Sequence, residues 1–411
     1  MVINFMNNIP ELLSPAGNFE KLRAALLYGA DAVYLAGNMF GMRAAAANFT
    51  DEELYEAVAY THARHKKLYL TLNTMPHEYE YDALKAYLGR IAGAGIDAFI
   101  VADIGVLATV KELLPDMEIH ISTQTSCVSS AAARAWHTLG AKRVVLAREL
   151  TLEEILRIRD QIPDTLELEA FIHGSMCISF SGRCLLSNHF TGRDGNRGMC
   201  AQPCRWNYTI SEEKRPEMPL PIEETEHGTF IMSSKDMCMI EHIPELMQSG
   251  INSFKIEGRM KSAYYTAVVT NAYRMAMDRY AAAPASYEYD PLWLRELESV
   301  SHREYATGYY FDRPMENAQT VTQMGYLREK AYLAVVDDYD PVTGIAQFIQ
   351  RNKVVTNTYA ELISPGHTGR ALPIHDMKNE VGESIETAPH PFMRFSMPTP
   401  FPVSKGDILR A

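Results

Sequence analysis

Long apolar runs, a basic leader and an excess of positive charge are all missing from this chain of 411 residues. No stretch approaches the roughly 18 to 20 uninterrupted apolar residues of a membrane span. The opening MVINFMNNIPELLSPAG has no basic segment followed by an apolar one, so no secretory signal is read there. The expected compartment is therefore the cytoplasm, with no membrane partner. A formal charge of −12 argues against wholesale coating of nucleic acid but leaves room for a local basic patch. No Gly-x-Gly-x-x-Gly follows the first candidate strand, which counts against a dinucleotide fold. Neither Gly-x-Ser-x-Gly nor His-Glu-x-x-His occurs, so two legible hydrolase signatures are gone as well.

Cysteine is also scarce, six in all, yet four crowd into one stretch. His173 to Arg205 reads HGSMCISFSGRCLLSNHFTGRDGNRGMCAQPCR and spaces Cys177, Cys184, Cys200 and Cys204 as C-x6-C-x15-C-x3-C. The same window holds Arg183, Arg193, Arg197 and Arg205 against Asp194 alone, a net +3 that leaves the remainder at −15. In a reducing compartment, clustered cysteines point to metal or redox chemistry before structural disulfides. Cys200 and Cys204, with Pro203 between them, make one close pair. Cys177 and Cys184 are too far apart for a tight zinc knuckle. Iron–sulfur clusters accept looser spacing, so a cluster is favoured, with zinc and plain reduced thiols as the alternatives. The isolated Cys127 and Cys238 read as buried thiols.

Along the chain, short apolar runs alternate with helix-length segments. Strand candidates are 11–17, 31–37, 67–73, 97–103, 118–125, 143–149, 166–174 and 253–259, nearly continuous in apolar residues, as in a parallel sheet buried on both faces. Thr50 with Glu53 and Thr151 with Glu154 spell capping boxes, and Gly29, Gly95, Gly140 and Gly250 sit where helix C-caps are expected. Eight such units predict a (β/α)8 barrel over residues 1–284. Seventy-eight residues separate Gly174 from Ser253, too many for a loop and a helix, so 175–252 is read as a Cys-rich insertion after the seventh strand. It ends in a helix expected from about Lys235 to Gln248. A connector over 285–325 leads to alternating segments that predict a small all-β domain over 326–411. From Arg328 onward that domain carries nine basic against ten acidic residues, so charge does not mark it as an RNA binder.

Polar residues at the C-terminal ends of barrel strands are the usual catalytic suspects. Here His173, Glu257, Arg259 and Asp103 are the candidates for catalysis. Arg148, Arg193, Arg197, Lys255, Asn73 and Gln124 are the candidates for substrate binding. His173, four residues before Cys177, could donate a proton or hydrogen-bond behind the cysteines. The arginines suit either a negatively charged thiolate cluster or an anionic substrate.

The runs ELLSPAGNFEKLRAALLYGADAVYLAG, the cysteine stretch and SFKIEGRMKSAYYTAVVTNAYR make the chain resemble the peptidase U-32 (collagenase-like) family over essentially its full length. The C-terminal segment resembles that family's translation-factor-like β-barrel. The branch it most resembles hydroxylates tRNA. The resemblance implies that Cys177, Cys184, Cys200 and Cys204 hold a 4Fe–4S cluster. It implies oxygen-independent hydroxylation of the wobble uridine of tRNA to 5-hydroxyuridine, with prephenate as co-substrate. Two alternatives stay open: a peptidase, as the family name says, and an Fe–S accessory subunit without its own turnover. A paralogous partner subunit is compatible with the resemblance. An acidic chain would have to meet tRNA through a confined basic face; Arg64, His65, Lys66 and Lys67 on one flank, and Arg193, Arg197, Arg205, Arg259 and Lys261 near the site, are its candidates.

Overall fold

The computed structural model describes residues 9–42, 48–176, 186–193, 201, 203, 224–225, 228–229, 235–311, 327 and 329–411. Seven parallel strands come first: β1 (Glu11–Pro15), β2 (Ala32–Leu35), β3 (Lys67–Leu72), β4 (Ala98–Val101), β5 (Glu118–Ile121), β6 (Arg143–Val145) and β7 (Glu167–Ser175). The insertion then contributes a short hairpin, β8 (Glu224–Thr225) with β9 (Gly228–Thr229), and the strand β10 (Asp236–Cys238). The eighth barrel strand, β11 (Ser253–Ile256), bonds in parallel to both β7 and β1 and so closes the sheet. The fold is a (β/α)8 barrel, as the periodicity predicts.

The helices start and stop for local reasons. Thr50 and Glu53 form a complete capping box on α2 (Asp51–His62), and Thr151 with Glu154 does the same on α6 (Leu152–Arg159). Gly29, Gly95, Gly140 and Gly250 end helical segments at φ of 103°, 79°, 97° and 74°, a left-handed backbone that a side chain would disfavour. Alternation along the strands then makes two cores. Leu12, Val33, Leu70, Phe99 and Phe254 face outward into one large cluster with the helices, which includes Leu22, Leu54 and Tyr273. Leu13, Ala32, Tyr34, Tyr69, Ala98 and Ile100, from β1 to β4, form a separate small cluster.

The end of the insertion differs from the expected helix. Residues 236–238 are a strand, antiparallel to β7 with Met237 opposite Gly174, and the helix is only Ile243–Met247 (α8). Tertiary pairing wins here because Asp236 is drawn inside. It bonds the Arg303 backbone at 3.0 Å and its guanidinium at 2.7 Å, beside β12 (Tyr305–Ala306), with both side chains buried. The closing helix α9 (Ala263–Ala282), capped by Ser262, and α10 (Pro291–Glu298) follow. No helix among the described residues is long and apolar enough to cross a membrane.

The C-terminal part is all-β and antiparallel. Its seven-stranded sheet runs β17 (Arg370–Ile374), β16 (Thr358–Ile363), β21 (Ile408–Arg410), β13 (Tyr332–Asp340), β14 (Ile345–Gln350), β20 (Arg394–Pro398) and β18 (Lys378–Asn379), with β15 (Val354–Val355) paired to β19 (Thr387–Ala388). It has its own core around Val336, Phe348, Leu362, Leu372 and Phe395. Arg410 knits it to the barrel: the guanidinium, on a residue 1% exposed, bonds Glu296 at 2.7 Å, Glu361 at 2.8 Å and Ser299 at 2.9 Å. Arg410→Ala takes the charged partner from the buried Glu296, leaving it the Gly369 N–H, and should cost about 3 kcal/mol of stability, read from the denaturant midpoint. A loss below about 1 kcal/mol would mean the bridge behaves like an exposed pair.

Candidate active site

The barrel interior is charged on the side opposite the small apolar cluster. β5, β6, β7 and β11 each place polar side chains on the inward alternation, and these form a continuous column. Glu11 accepts from Arg143 at 2.6 Å, from Tyr69 at 2.6 Å and from Ser253 at 2.8 Å. Arg143 also holds Glu167 at 2.7 Å and Glu169 at 3.2 Å. Glu169, fully buried, in turn accepts from Lys255 Nζ at 2.7 Å. Burial raises the cost of the Glu169 carboxylate, but Lys255 and Arg143 more than offset it and hold its pKa below the ordinary value. His120, also fully buried, bonds Glu118 at 2.8 Å, and its burial keeps the imidazole neutral-leaning.

Above the column, the C-terminal mouth gathers cations and aromatic rings. Lys255 Nζ lies 4.4 Å from the Tyr34 ring centre and 5.5 Å from that of Phe171. The guanidinium of the half-buried Arg148 lies 3.8 Å over Phe171 and makes no ion pair among the described residues. Arg259, 5% exposed, donates to Thr71 Oγ1 at 3.1 Å. Its backbone comes so close to Gly17 that a Cβ there would lie 2.3 Å from the Arg259 carbonyl. Gly174 works alike: at φ 106°, an added Cβ would stand 2.5 Å from the Glu257 carbonyl. That clearance lets the partly exposed Glu257 sit against the end of β7, where the Ser175 N–H donates to its carboxylate at 3.4 Å. Of the residues expected from sequence, Arg148 and Lys255 flank the same Phe171 ring, while Arg259 reaches Thr71 and Glu257 reaches Ser175 at neighbouring strand ends.

Others are placed differently. His173 is not at the mouth. The β7–β11 register shifts at Ile256, giving β7 an extra residue, and beyond this bulge His173 packs among Tyr265, Tyr273 and Tyr305 at ring distances of 6.0, 5.5 and 5.3 Å. Burial pushes its pKa down to about 3, so near neutrality the ring is uncharged and keeps a single N–H. Of the two roles expected for His173, a hydrogen-bonding position inside the fold suits this burial better than a charged proton donor. Asp103 caps α4 (Ile104–Leu113), accepting from Val106 N and from the Tyr81 hydroxyl, both at 3.0 Å. Asn73 accepts from Met42 N at 3.1 Å, and the buried Gln124 touches the Met42 sulfur, so both hold the chain that follows β2. Arg193 is exposed beside α7 (Leu186–Thr191). Cys177, Cys184, Cys200, Cys204, Arg183, Arg197 and Arg205 lie outside the described residues. The residues flanking them are tied together: Ser187 Oγ donates to Arg193 O at 2.6 Å and accepts from Ala201 N at 2.9 Å.

The basic flank Arg64 to Lys67 lies far from the mouth. It leads into the start of β3, and His65, Lys66 and Lys67 line a cleft of about 1080 Å³ with Glu11, Asp31 and Arg143 at the N-terminal end of the barrel, opposite the mouth. Lys66 is spent there on Asp31 at 2.9 Å. The charged column was missed from sequence, although Glu118 and His120, or Glu167 and Glu169, two apart in otherwise apolar strands, were a usable signal.

His173 gives a pH test. Its ordinary pKa of 6.5 falls to about 3 in the fold, so below pH ~6.5 the unfolded chain takes up a proton that the native state refuses. Stability should decline as pH drops from 6.5 toward 4, by up to ~1.4 kcal/mol per pH unit. His173→Gln should flatten that part of the profile; an unchanged slope would show the imidazole is not the proton acceptor responsible.

Residues 17–320 match the family described as Peptidase family U32, and residues 328–410 match its C-terminal domain. Relatives include "tRNA hydroxylation protein P1" of Bacillus subtilis (strain 168), 38% identical over 93% of this chain and 90% of its own length. "tRNA hydroxylation protein P" of Escherichia coli (strain K12) is 34% identical over 95% and 94%. A "Collagenase" of Porphyromonas gingivalis (strain ATCC BAA-308 / W83) is 32% identical over 82% of each chain. The barrel, the antiparallel C-terminal sheet and matches spanning both make the conclusion plain: this chain belongs to peptidase family U32.

Proposed function

We propose that this protein is a tRNA-hydroxylating enzyme, acting at C5 of the wobble uridine without molecular oxygen and with prephenate as co-substrate. The observation that carries the reading is likeness across nine-tenths of the chain to relatives named for tRNA hydroxylation. The mouth supports it: Arg148, Lys255 and Arg259 supply positive charge at the end of the barrel where enzymes of this fold do their chemistry. Arg148 and Arg259 hold an anionic co-substrate, and Glu257 faces the reacting base. Cys177, Cys184, Cys200 and Cys204 are a donor set of the kind that binds a 4Fe–4S cluster, which when bound supplies electron transfer. Ser187 draws their flanks together, and β7 and β10 anchor the two ends of the insertion.

A peptidase reading gains nothing from the described thiols. Cys127 and Cys238 are both buried, and burial pushes the Cys238 thiol up to about 12, so neither is a ready nucleophile. Deleting the gene and measuring tRNA nucleosides by mass spectrometry should remove 5-hydroxyuridine and its derivatives, with the wild-type gene restoring them. Unchanged levels in a strain without paralogues would sink the proposal. Gelatin cleavage by the purified protein would favour the collagenase-like alternative.

A further inference from the structure

The barrel interior holds an amine in surroundings that favour covalent chemistry. Lys255 is 4% exposed, with its Nζ 2.7 Å from Glu169 and 4.4 Å from the Tyr34 ring centre. Its position is fixed twice over, because Arg143 on β6 grips the other oxygen of Glu169 and is itself gripped by Glu11 and Glu167. The charged groups facing it come from three sides: Glu169 on β7, Arg143 on β6 and Arg148 just after β6. Desolvation and the two guanidiniums lower the ammonium's pKa although Glu169 raises it, so the free amine is more accessible than on a surface lysine. Arg148, which has no carboxylate partner among the described residues, stacks on Phe171 beside the same ammonium. A carboxylate held on Arg148 would bring the rest of that ligand to the Phe171 ring that Lys255 also flanks.

We propose that Lys255 is a catalytic amine that forms a reversible imine with a 2-oxo acid, with Arg148 holding the acid's carboxylate and Glu169 moving the protons. The Glu169 carboxylate takes one proton from the ammonium, the freed amine pair attacks the carbonyl carbon as the C=O π pair moves onto oxygen, and a second nitrogen proton passes to that oxygen to give a carbinolamine. The protonated Glu169 then gives its proton to the departing hydroxyl. Water leaves, a protonated imine remains, and Glu169 is again a carboxylate. No oxidant or reductant is consumed, and addition of water reverses the step. The inference deepens the proposed function, resting on its small-molecule half and leaving its RNA half untouched.

The test is trapping. Purified full-length protein is incubated with pyruvate and sodium borohydride, digested, and its lysine peptides are read by mass spectrometry. The reduced pyruvyl adduct is expected on Lys255, with surface lysines such as Lys405 at background, and succinate, which lacks the oxo group, should give none. Arg148→Met should reduce trapping about ten- to a hundredfold, the weight of one charged hydrogen bond. Because the trap is read on the native chain, it does not depend on a Lys255 variant folding. No adduct at Lys255, or labelling spread evenly over lysines, overturns the inference even where tRNA hydroxylation is intact. Selective trapping by a protein that hydroxylates no tRNA supports the imine and overturns the RNA reading instead.

Discussion

Cys200→Ser and Cys204→Ser are each expected to lose iron and hydroxylation together, with activity falling to the level of a gene deletion. A thiolate is the soft, readily ionised ligand that iron–sulfur clusters require, whereas a serine hydroxyl stays protonated near neutrality and binds iron poorly. Anaerobically purified wild type should be brown, and both variants should be pale with depleted iron and sulfide. Cys127→Ala is the control. That side chain is 1% exposed in the helix–barrel core, so its loss should leave the colour intact. A full complement of iron in both serine variants would show that the ligands lie elsewhere in the chain. The wild type binding a single zinc and no iron would favour a structural site.

Glu169→Ala should be the most destabilising substitution in the barrel interior, at about 3–5 kcal/mol. The fully buried carboxylate separates Arg143 from Lys255, and without it two cations face each other away from water. Glu169→Gln should cost less, since the amide keeps a hydrogen-bond acceptor toward Lys255 while giving up the charge. The contrasting case is Glu153, paired with Arg157 on the outer surface of α6 with both side chains about 70% exposed. Its replacement by alanine should change stability by less than about 1 kcal/mol. Denaturant titrations of the three variants decide the matter. If Glu169→Ala behaved like Glu153→Ala, the column would have to be hydrated and the buried-network description would fail.

Some of this was readable in advance because it is local. The eight barrel strands were visible as short apolar runs, since strands covered on both faces need apolar residues on each side. Thr50 and Thr151 announced their helices, because a capping box is completed within four residues. The insertion was visible as excess length. Residues 236–238 were misjudged because their partners, Gly174 on β7 and Arg303 before β12, are more than 60 residues away and outweigh local helical preference. The sequence left the role of His173 open, and a one-residue bulge, invisible in the sequence pattern, sets it in a tyrosine cage. The flank Arg64 to Lys67, one candidate for an RNA face, lies at the N-terminal end of the barrel, a placement that only the barrel's direction reveals.

The sequence by itself determined the barrel, the all-β C-terminal part and the concentration of four cysteines after the seventh strand. These follow from periodicity, turn chemistry and spacing, all short-range. Only the tertiary structure decided which polar side chains share the interior. Glu11, Arg143, Glu169 and Lys255 come from four strands spread over 245 residues and meet because the sheet closes on itself. Closure sets charges side by side where water cannot screen them. That gives Lys255 its lowered proton affinity and sets it with Arg148 around the Phe171 ring.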